Sequence, residues 1–272
     1  MNWEQAQEEK FGYFCRLKPA HRPWGSPKSC GPGVLMGKLA PVTTLLIATR
    51  NLHKVEEIRA ILGQEFRYLT LQSFPGAPEV VEDMPTFSGN ATKKAVQLAK
   101  WLAGTADQDR RMSPERLFVL ADDSGLEVDA LGGAPGVHSA RFAALDTGAP
   151  GNSPTAENNA KLLRLLQGVA AAKRTARFHC AVALTPVPQP QQESASPVCY
   201  ADECELSTEL FDGVCEGRIV LEARGRGGFG YDPLFLPSGY DQTFGELPEA
   251  VKNQLSHRAK ALEKVKQRLA RI

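Results

Sequence analysis

The chain has 272 residues, of which 42% are hydrophobic, enough to bury a full core in one large domain or two lobes. Its 32 basic and 31 acidic residues nearly cancel, so no overall field draws the protein to nucleic acid or to an anionic membrane, and an anion must be bound by a local cluster of charges. No stretch approaches the roughly 20 apolar residues of a membrane span, and the polar, acidic N-terminus is unlike a secretory signal, so we expect a cytoplasmic protein.

Residues 1–41 are rich in Pro, Gly, Lys and Trp and lack helical or strand periodicity, so we expect a mobile N-terminal arm. Met36 stands shortly before the first convincing strand, and a translation start there would make the arm dispensable. Residues 42–272 are expected to form one folded domain. It begins with TTLLIAT, which predicts a buried strand, and KVEEIRAILG, which predicts a helix with a C-cap at Gly63.

The rest of the chain continues to alternate strands and helices. A helix is predicted over residues 88–101, RLFVLA predicts a short buried strand that ends at ADDSG, and LEVDAL continues as strand or extended chain. After a Gly- and Pro-rich loop, the predicted elements are a helix over 158–167, the strand ARFHCAVALTPV, an exposed loop insertion over 186–197, the strands VCYADECEL and GRIVLEA, and a helix over 257–269. This order predicts an α/β fold with a mixed central sheet.

The six cysteines are too few for a disulfide scaffold and contain no C-x-x-C pair. Reduced, structural thiols are the simpler interpretation, although Cys199, Cys204 and Cys215 would also provide ligands for zinc.

Two adjacent carboxylates, Asp122 and Asp123, follow the buried strand in ADDSG. An Asp-rich turn is one explanation, because Asp, Ser and Gly are common in turns. The other is a nearby cation, because an unpaired buried carboxylate is strongly unfavourable. We expect one carboxylate to face a cleft and the other to be anchored by local hydrogen bonds.

Two further segments combine a helix start with polar side chains. TRNLHK, residues 49–54, joins the first strand to its helix, where backbone N–H groups and the helix dipole favour an anion. The segment lacks the G-x-x-x-x-G-K-[ST] pattern, so a plain capped helix is the alternative. EDMPTFSGNATKKA places Asn90 and Lys94 on one helix face, and its Glu82 matters only if it meets ADDSG in space.

Two segments near the C-terminus complete the set. The glycines of GGFGYDPLF allow close approach of the backbone to a ligand, and Phe229 or Tyr231 can lie against a flat base, although a turn with core aromatics also fits. In KNQLSHRAKAL, Ser256 is a plausible N-cap that puts His257 and Arg258 in the first helical turn. Cations there oppose the helix dipole, so we expect a ligand to require them.

In order and spacing, ATRNLHKVEEI, EDMPTFSGNATKKA, ADDSGLEVDALGGAPGVHSARFA, RFHCAVAL, GGFGYDPLF and SHRAKAL closely resemble the inosine triphosphate pyrophosphatase family, also called XTP/dITP diphosphatases. The resemblance runs from about residue 44 to 269. It implies an elongated mixed sheet flanked by helices, with two lobes and a deep cleft. It also implies a cytosolic, homodimeric, Mg²⁺-dependent enzyme that hydrolyses ITP, dITP and XTP to the monophosphate and pyrophosphate.

The resemblance implies roles for individual residues. Asp123 is the expected catalytic residue, acting as base or orienting group for the attacking water, and Glu82 and Asp123 are the expected Mg²⁺ ligands, with Asp122 in support. Arg50 and His53 stand where the family's T-G-N-x-G-K loop often has glycines. The expected substrate contacts are Thr49, Arg50, Asn51, Leu52, His53, Lys54, Lys94, Ser124, Phe229, Gly230, Tyr231, Asp232, Lys252, His257 and Arg258.

Base selectivity is expected to depend on the six-position, where inosine and xanthosine carry a carbonyl and adenine an amino group. Backbone N–H groups of residues 229–232, with His257 or Arg258, are the candidate donors. A pyrophosphatase for modified pyrimidine triphosphates and an inactive nucleotide-binding protein remain alternatives. A dehydrogenase is disfavoured, because no helix pattern follows GRGGFG.

Overall fold

The computed structural model describes residues 42–105, 116–188 and 207–272. The predicted arm over 1–41, the possible start at Met36, the strand VCYADECEL, Cys199 and Cys204 lie outside these ranges, as does the predicted insertion from residue 189 onward. The first residues assigned to that insertion differ from the prediction, because Pro186 ends a strand and the N–H of buried Val187 donates to the Leu117 carbonyl at 2.9 Å.

Six strands in the described residues form one mixed sheet, and helices flank it. The strands are β1 (Thr44–Ile47), β2 (Arg67–Thr70), β3 (Leu117–Val128), β4 (Thr175–Pro186), β5 (Glu209–Ile219) and β6 (Phe235–Pro237). The helices are α1 (Leu52–Leu62), α2 (Phe87–Thr105), α3 (Thr155–Leu165), α4 (Glu249–Leu255) and α5 (His257–Leu269). The sheet order is β2-β1-β3-β4-β5-β6, with β1 parallel to β2 and β3 and the other pairs antiparallel. The predicted α/β class with a mixed sheet is confirmed.

Both faces of the sheet centre are covered by helices, which explains why the residues of β1 after Thr44 are all apolar. Leu45 and Ile47 pack with α1 and α5 on one face, whereas Leu46 packs with α2 on the other. The same alternation continues in β3, where Leu120 faces α1 and α5 and Ala121 faces α2. No described helix is both long and apolar enough to cross a membrane.

β3 is longer than its parallel neighbour, and this difference creates an open position in the sheet. The β1 register ends at Ile47 opposite Leu120, whereas β4 pairs with β3 as far as Val128. The prediction that the strand ends at ADDSG is therefore wrong: the antiparallel ladder with β4 carries the strand through both aspartates. They lie just beyond the end of β1, next to the loop that enters α1.

Helix ends were predicted better than short strands. Gly63 caps α1, and α5 spans the predicted residues 257–269 with Ser256 as its N-cap. GRIVLEA is wrong as a separate strand, because β5 begins at Glu209 and ends at Ile219. The exposed charges and two glycines of β5 give it a low strand propensity, so the sequence did not predict this strand. Pairing with β4 along its length stabilises it. The helix predicted over 158–167 begins three residues earlier, at Thr155, and β2 and α4 were missed.

Gly213 of β5 is where α5 crosses the sheet, so a side chain there would displace the helix. A Cβ at this position would lie 2.0 Å from the His257 carbonyl oxygen and 2.6 Å from the Ala261 amide nitrogen. We predict that Gly213→Ala lowers the free energy of unfolding by about 1–3 kcal/mol, as measured by urea titration.

Gly104→Ala in α2 is the control, because a Cβ there meets nothing within 4 Å. Alanine is the better helix former, so this change is expected to be neutral or stabilising by up to about 1 kcal/mol. Equal stability of the two variants would contradict the close contact at Gly213.

Candidate active site

Asp122 and Asp123 are neighbours in sequence but belong to different environments. Successive side chains of a strand point to opposite faces of the sheet. Asp122 contacts Lys54 of α1 and Arg258 of α5, whereas Asp123 contacts Asn90 of α2. The strand therefore separates two carboxylates that would repel each other side by side.

Asp122 is a buried anion, and its Oδ2 is paired with two cations. Its Oδ2 lies 3.1 Å from Lys54 Nζ and 3.0 Å from Arg258 Nη2, and it accepts a hydrogen bond from Ser124 Oγ at 3.3 Å. Burial opposes ionisation, but the positive charges of Lys54, Arg258 and Lys94 outweigh it and hold the pKa of Asp122 well below its usual range. One carboxylate was predicted to be anchored by local hydrogen bonds. Asp122 is instead anchored mainly by cations from distant parts of the chain.

Asp123 is shifted in the opposite direction. Burial raises its pKa and the negative charge of Glu82 adds to the effect, whereas Lys54 and Asn90 act against it. Its Oδ2 accepts a hydrogen bond from Asn90 Nδ2 at 2.9 Å, and its Oδ1 accepts one from the Ser124 N–H at 3.0 Å. The pKa rise makes Asp123 the more basic of the two carboxylates.

Asn90 was not among the predicted site residues, although its spacing from Lys94 was noted. Its own orientation is fixed, because its Oδ1 accepts a hydrogen bond from the Met84 N–H at 2.9 Å. An asparagine four residues before a lysine, on one face of the predicted helix, was the available signal.

Glu82 meets ADDSG through Lys94. The Lys94 ammonium forms an ion pair with the Glu82 carboxylate and donates a hydrogen bond to the Asp122 carbonyl at 3.2 Å. Arg141 holds the same segment from the other side, donating from Nη2 to the Glu82 carbonyl at 3.1 Å. The predicted metal ligands Glu82 and Asp123 are therefore close enough for the charge of Glu82 to raise the pKa of Asp123.

The donor chemistry here fits a magnesium ion. No cluster of three or more His, Cys, Asp or Glu side chains suited to a metal occurs in the described part of the chain. Mg²⁺ keeps several waters and takes one or two carboxylates together with phosphate oxygens. Glu82 and Asp123 supply two carboxylates whose mutual repulsion a cation relieves, and the buried Oδ1 of Asp122 has no hydrogen-bond partner among the described residues.

A buried ion-pair network lies beneath the site. Glu57 of α1 accepts a hydrogen bond from Lys252 Nζ at 2.7 Å and pairs with the Arg258 guanidinium. Lys252 also lies 2.7 Å from Asp232 Oδ2, and Arg258 reaches Asp122. Glu57 was not predicted as a site residue, because a glutamate in a charged helix normally faces solvent. Its place on the same face as Lys54 and Ile58 was the only signal.

His257 is held in its neutral form. Its ring stacks on Phe178 with centroids 4.8 Å apart and an angle of 12° between the planes. Burial lowers the pKa of His257 well below its usual value, and the charges of Arg258 and Lys252 lower it further. The two first-turn residues of α5 therefore bring one positive charge, which carboxylates neutralise, and the conflict with the helix dipole is largely removed.

The glycine-rich loop brings Phe229 to the site and Tyr231 to the core. The Phe229 ring lies nearly parallel to His53, with centroids 5.8 Å apart, and 4.8 Å from Lys252 Nζ. Tyr231 is 4% exposed and donates its hydroxyl to the Ser139 carbonyl at 2.9 Å. Of the two aromatic residues proposed to lie against a base, only Phe229 is accessible.

The loop at the start of α1 is an ordinary cap as well as a site element. Asn51 Oδ1 accepts hydrogen bonds from the N–H groups of His53, at 3.0 Å, and Lys54, at 3.5 Å. Thr49 Oγ1 accepts one from the Asn51 N–H at 3.2 Å, and Leu52 is exposed. Arg50 donates to the Ala77 carbonyl at 3.3 Å. The loop thus brings Lys54 to Asp122 and His53 to Phe229, while Arg50 points to a different segment.

The chain is similar to known proteins both in sequence and in structure. The model of the Ham1 family matches residues 45–268. The dITP/XTP pyrophosphatase of Desulforamulus reducens is 44% identical over 229 residues, which cover 84% of this chain and 96% of that protein. The dITP/XTP pyrophosphatase of Shouchella clausii is 40% identical over 223 residues, covering 82% and 94%. A solved HAM1 protein from Coxiella burnetii matches with a TM-score of 0.66 at 32% identity, covering 85% of this chain and 100% of that one.

The buried neutral histidine predicts a pH-dependent stability. The folded-state pKa of His257 lies well below the value of about 6.5 in an unfolded chain. Between these pH values the unfolded chain binds a proton at His257 and the folded protein does not. The free energy of unfolding is therefore unaffected by His257 above about pH 6.5 and decreases as the pH falls below it. His257→Gln should flatten the dependence of the urea midpoint on pH between about 5 and 7.

His138→Gln, at an exposed position, controls for the loss of one histidine. A pH slope in His257→Gln as steep as that of the wild type would contradict a neutral, buried His257.

Proposed function

The chain belongs to the Ham1 family, and we propose that it hydrolyses non-standard purine nucleoside triphosphates, namely ITP, dITP and XTP, to the monophosphate and pyrophosphate. The single observation that carries the proposal is the convergence of Lys54, Lys94 and Arg258 around the pair Asp122–Asp123, in a chain whose relatives are dITP/XTP pyrophosphatases. These residues come from three helices and one strand, and the fold brings them together.

The charge of the site supports a role for a divalent cation. A nucleoside triphosphate carries about four negative charges, and micromolar binding needs about 8 kcal/mol, of which one helix end supplies at most about 2. The connected side chains include one more carboxylate than cation, so the cluster by itself does not favour a polyanion. The carboxylates are Glu57, Glu82, Asp122, Asp123 and Asp232, and the cations are Lys54, Lys94, Lys252 and Arg258.

The proposed cofactor is Mg²⁺, held by Glu82 and Asp123. When bound, it supplies positive charge to the phosphate oxygens and lowers the pKa of an attacking water. Lys54 and Lys94 border the same place and are suited to bind phosphate oxygens, because their side chains retain some exposure, 16% and 12%. The substrate's negative charge would then replace part of their pairing with Asp122 and Glu82.

Asp123 is the proposed catalytic residue. Its raised pKa makes it a better base than an exposed carboxylate, and Asn90 and the Ser124 N–H fix its two oxygens. It orients the water that attacks the α-phosphorus and accepts its proton, and pyrophosphate leaves. Asp122, held ionised by Lys54 and Arg258, keeps these cations in place and takes no proton.

Selectivity for a six-carbonyl purine is proposed to come from the loop at residues 229–232. The N–H groups of Phe229 and Asp232 are already used within the loop, by Asp232 Oδ2 at 2.7 Å and the Phe229 carbonyl at 3.3 Å. No described residue accepts a hydrogen bond from the N–H of Gly230 or Tyr231, which leaves these two as candidate donors. An adenine amino group in front of them would leave buried donors unpaired, at a loss of about 1–3 kcal/mol each.

A homodimer and a cytoplasmic location belong to the same proposal, and the family resemblance is what supports them. A pyrophosphatase for pyrimidine triphosphates and an inactive nucleotide-binding protein are the competing functions, and the substrate assay below separates them.

The function is tested by pyrophosphate release from ITP, XTP, GTP, ATP and dTTP in parallel, with Mg²⁺ and with chelator. We expect strong Mg²⁺-dependent turnover of ITP and XTP and little of ATP, because only the former present a six-carbonyl. Preference for dTTP would contradict the proposal and favour a pyrophosphatase for pyrimidine triphosphates. Absence of turnover with every triphosphate would favour an inactive nucleotide-binding protein.

Asp123→Asn should lower kcat for ITP by about 10²–10⁴-fold, because the side chain keeps its size and loses the ability to accept a proton. Binding of ITP, measured by calorimetry, should be retained. Asp129→Asn is the matched control, since Asp129 is exposed and pairs with Arg177 at the surface. Near-normal turnover in Asp123→Asn would refute the assigned role.

A further inference from the structure

Asn159 contacts the loop at residues 229–232, here called the base loop, from outside the reacting centre. It lies in α3 and donates a hydrogen bond from Nδ2 to the Gly230 carbonyl at 3.2 Å. A carbonyl oxygen only accepts hydrogen bonds, so the amide atom that faces it must be the nitrogen. The other amide atom, Oδ1, is buried and has no hydrogen-bond partner among the described residues.

This contact fixes the direction of one peptide group. The Gly230 carbonyl and the Tyr231 N–H belong to the same planar, trans peptide bond, in which the two point in opposite directions. Holding the carbonyl toward α3 therefore directs the Tyr231 N–H away from α3. Gly230 has a φ of +62°, and without a Cβ its backbone is free to turn in other ways. The bonds between Phe229 and Asp232 close the loop on either side of this peptide, and the bond from Asn159 is made to its own carbonyl oxygen.

The scaffold pairs only one of the two amide atoms of Asn159. A buried amide oxygen without a partner destabilises a fold, and most buried polar atoms in proteins are paired. The neighbouring Asn158 shows the ordinary arrangement: its Oδ1 accepts from the Ala143 N–H at 2.7 Å and its Nδ2 donates to the Ala140 carbonyl at 3.1 Å. Both amide atoms of Asn158 bond to the scaffold. In Asn159 only Nδ2 is hydrogen-bonded among the described residues, and its partner is the base loop.

We propose that Asn159 is a specificity-determining positioning residue, which orients the Gly230–Tyr231 peptide so that its N–H meets the six-carbonyl of the purine. The residue does not touch the reacting atoms. It acts by keeping one donor directed at the base, and with it the discrimination against a six-amino purine. This inference rests on the proposed function and assigns part of its selectivity to one side chain of α3.

The test compares Asn159→Ala and Asn159→Asp with wild type and with Asn158→Ala. The measured quantities are kcat/KM for ITP and for ATP with Mg²⁺, and the thermal unfolding midpoint. Both Asn159 variants should lower the ratio of kcat/KM for ITP over ATP by about tenfold, as expected for misdirecting one hydrogen-bond donor. Asn159→Ala should leave the unfolding midpoint close to that of wild type, because it also removes the unpaired oxygen.

Asn158→Ala is the matched control on the same helix. It should lower the unfolding midpoint, since it removes two satisfied hydrogen bonds, and keep the wild-type ITP over ATP ratio. Asn159→Asp preserves the size of the side chain and provides the test if the alanine variant does not fold.

An unchanged ratio in the Asn159 variants would overturn the inference while leaving the proposed function intact. An equal loss of ratio in Asn158→Ala would also overturn it, because general loosening of α3 would then explain the effect. Absence of ITP turnover in the wild type would instead reject the proposed function, and this inference with it.

Discussion

The buried ion pairs of Arg258 are the interaction on which the rest of the site depends. Arg258 is 1% exposed, and its guanidinium bonds to Asp122 in β3 and Glu57 in α1. Lys252 of α4 extends the network by joining Glu57 to Asp232 beside the glycine-rich loop. Breaking a buried pair by removing one partner typically destabilises a protein by about 3–5 kcal/mol. The network thus holds α1, α4, α5, β3 and the loop of Asp232 in fixed positions relative to one another, because an unpaired buried charge is strongly unfavourable.

The network also gives two adjacent aspartates different environments and opposite pKa shifts. Because a strand alternates its side chains, Asp122 faces the cations of α1 and α5 and Asp123 faces the amide of Asn90. The pKa of Asp122 is held down, and burial raises that of Asp123. Paired titratable groups whose environments shift their pKa values apart are typical of sites with distinct structural and proton-accepting roles. The early end of β1, opposite Leu120, leaves the positions of both aspartates in β3 without a parallel neighbouring strand.

Much of the fold was predictable because it is encoded locally. The apolar run of β1, the glycine that ends α1 and the serine that begins α5 all act within a few residues of chain, and the α/β class followed from their alternation. β5 was not predictable in this way, since its alternating charges are tolerated only because β4 pairs along it. Glu57 was missed for a related reason: its partner Lys252 lies 195 residues away, and no local pattern encodes that contact.

By itself, the sequence determined the fold class, the family and the motifs that carry the chemistry, because these depend on residue identity and spacing along the chain. Only the tertiary structure decided that Lys54 and Arg258 pair with Asp122 and that Asn90 bonds to Asp123, since these contacts depend on which helix covers each face of β3. It also decided that Tyr231 belongs to the core and Phe229 to the site, and which N–H groups of the base loop remain unpaired. These are properties of burial and of contacts between distant segments, which residue order does not specify until the chain has folded.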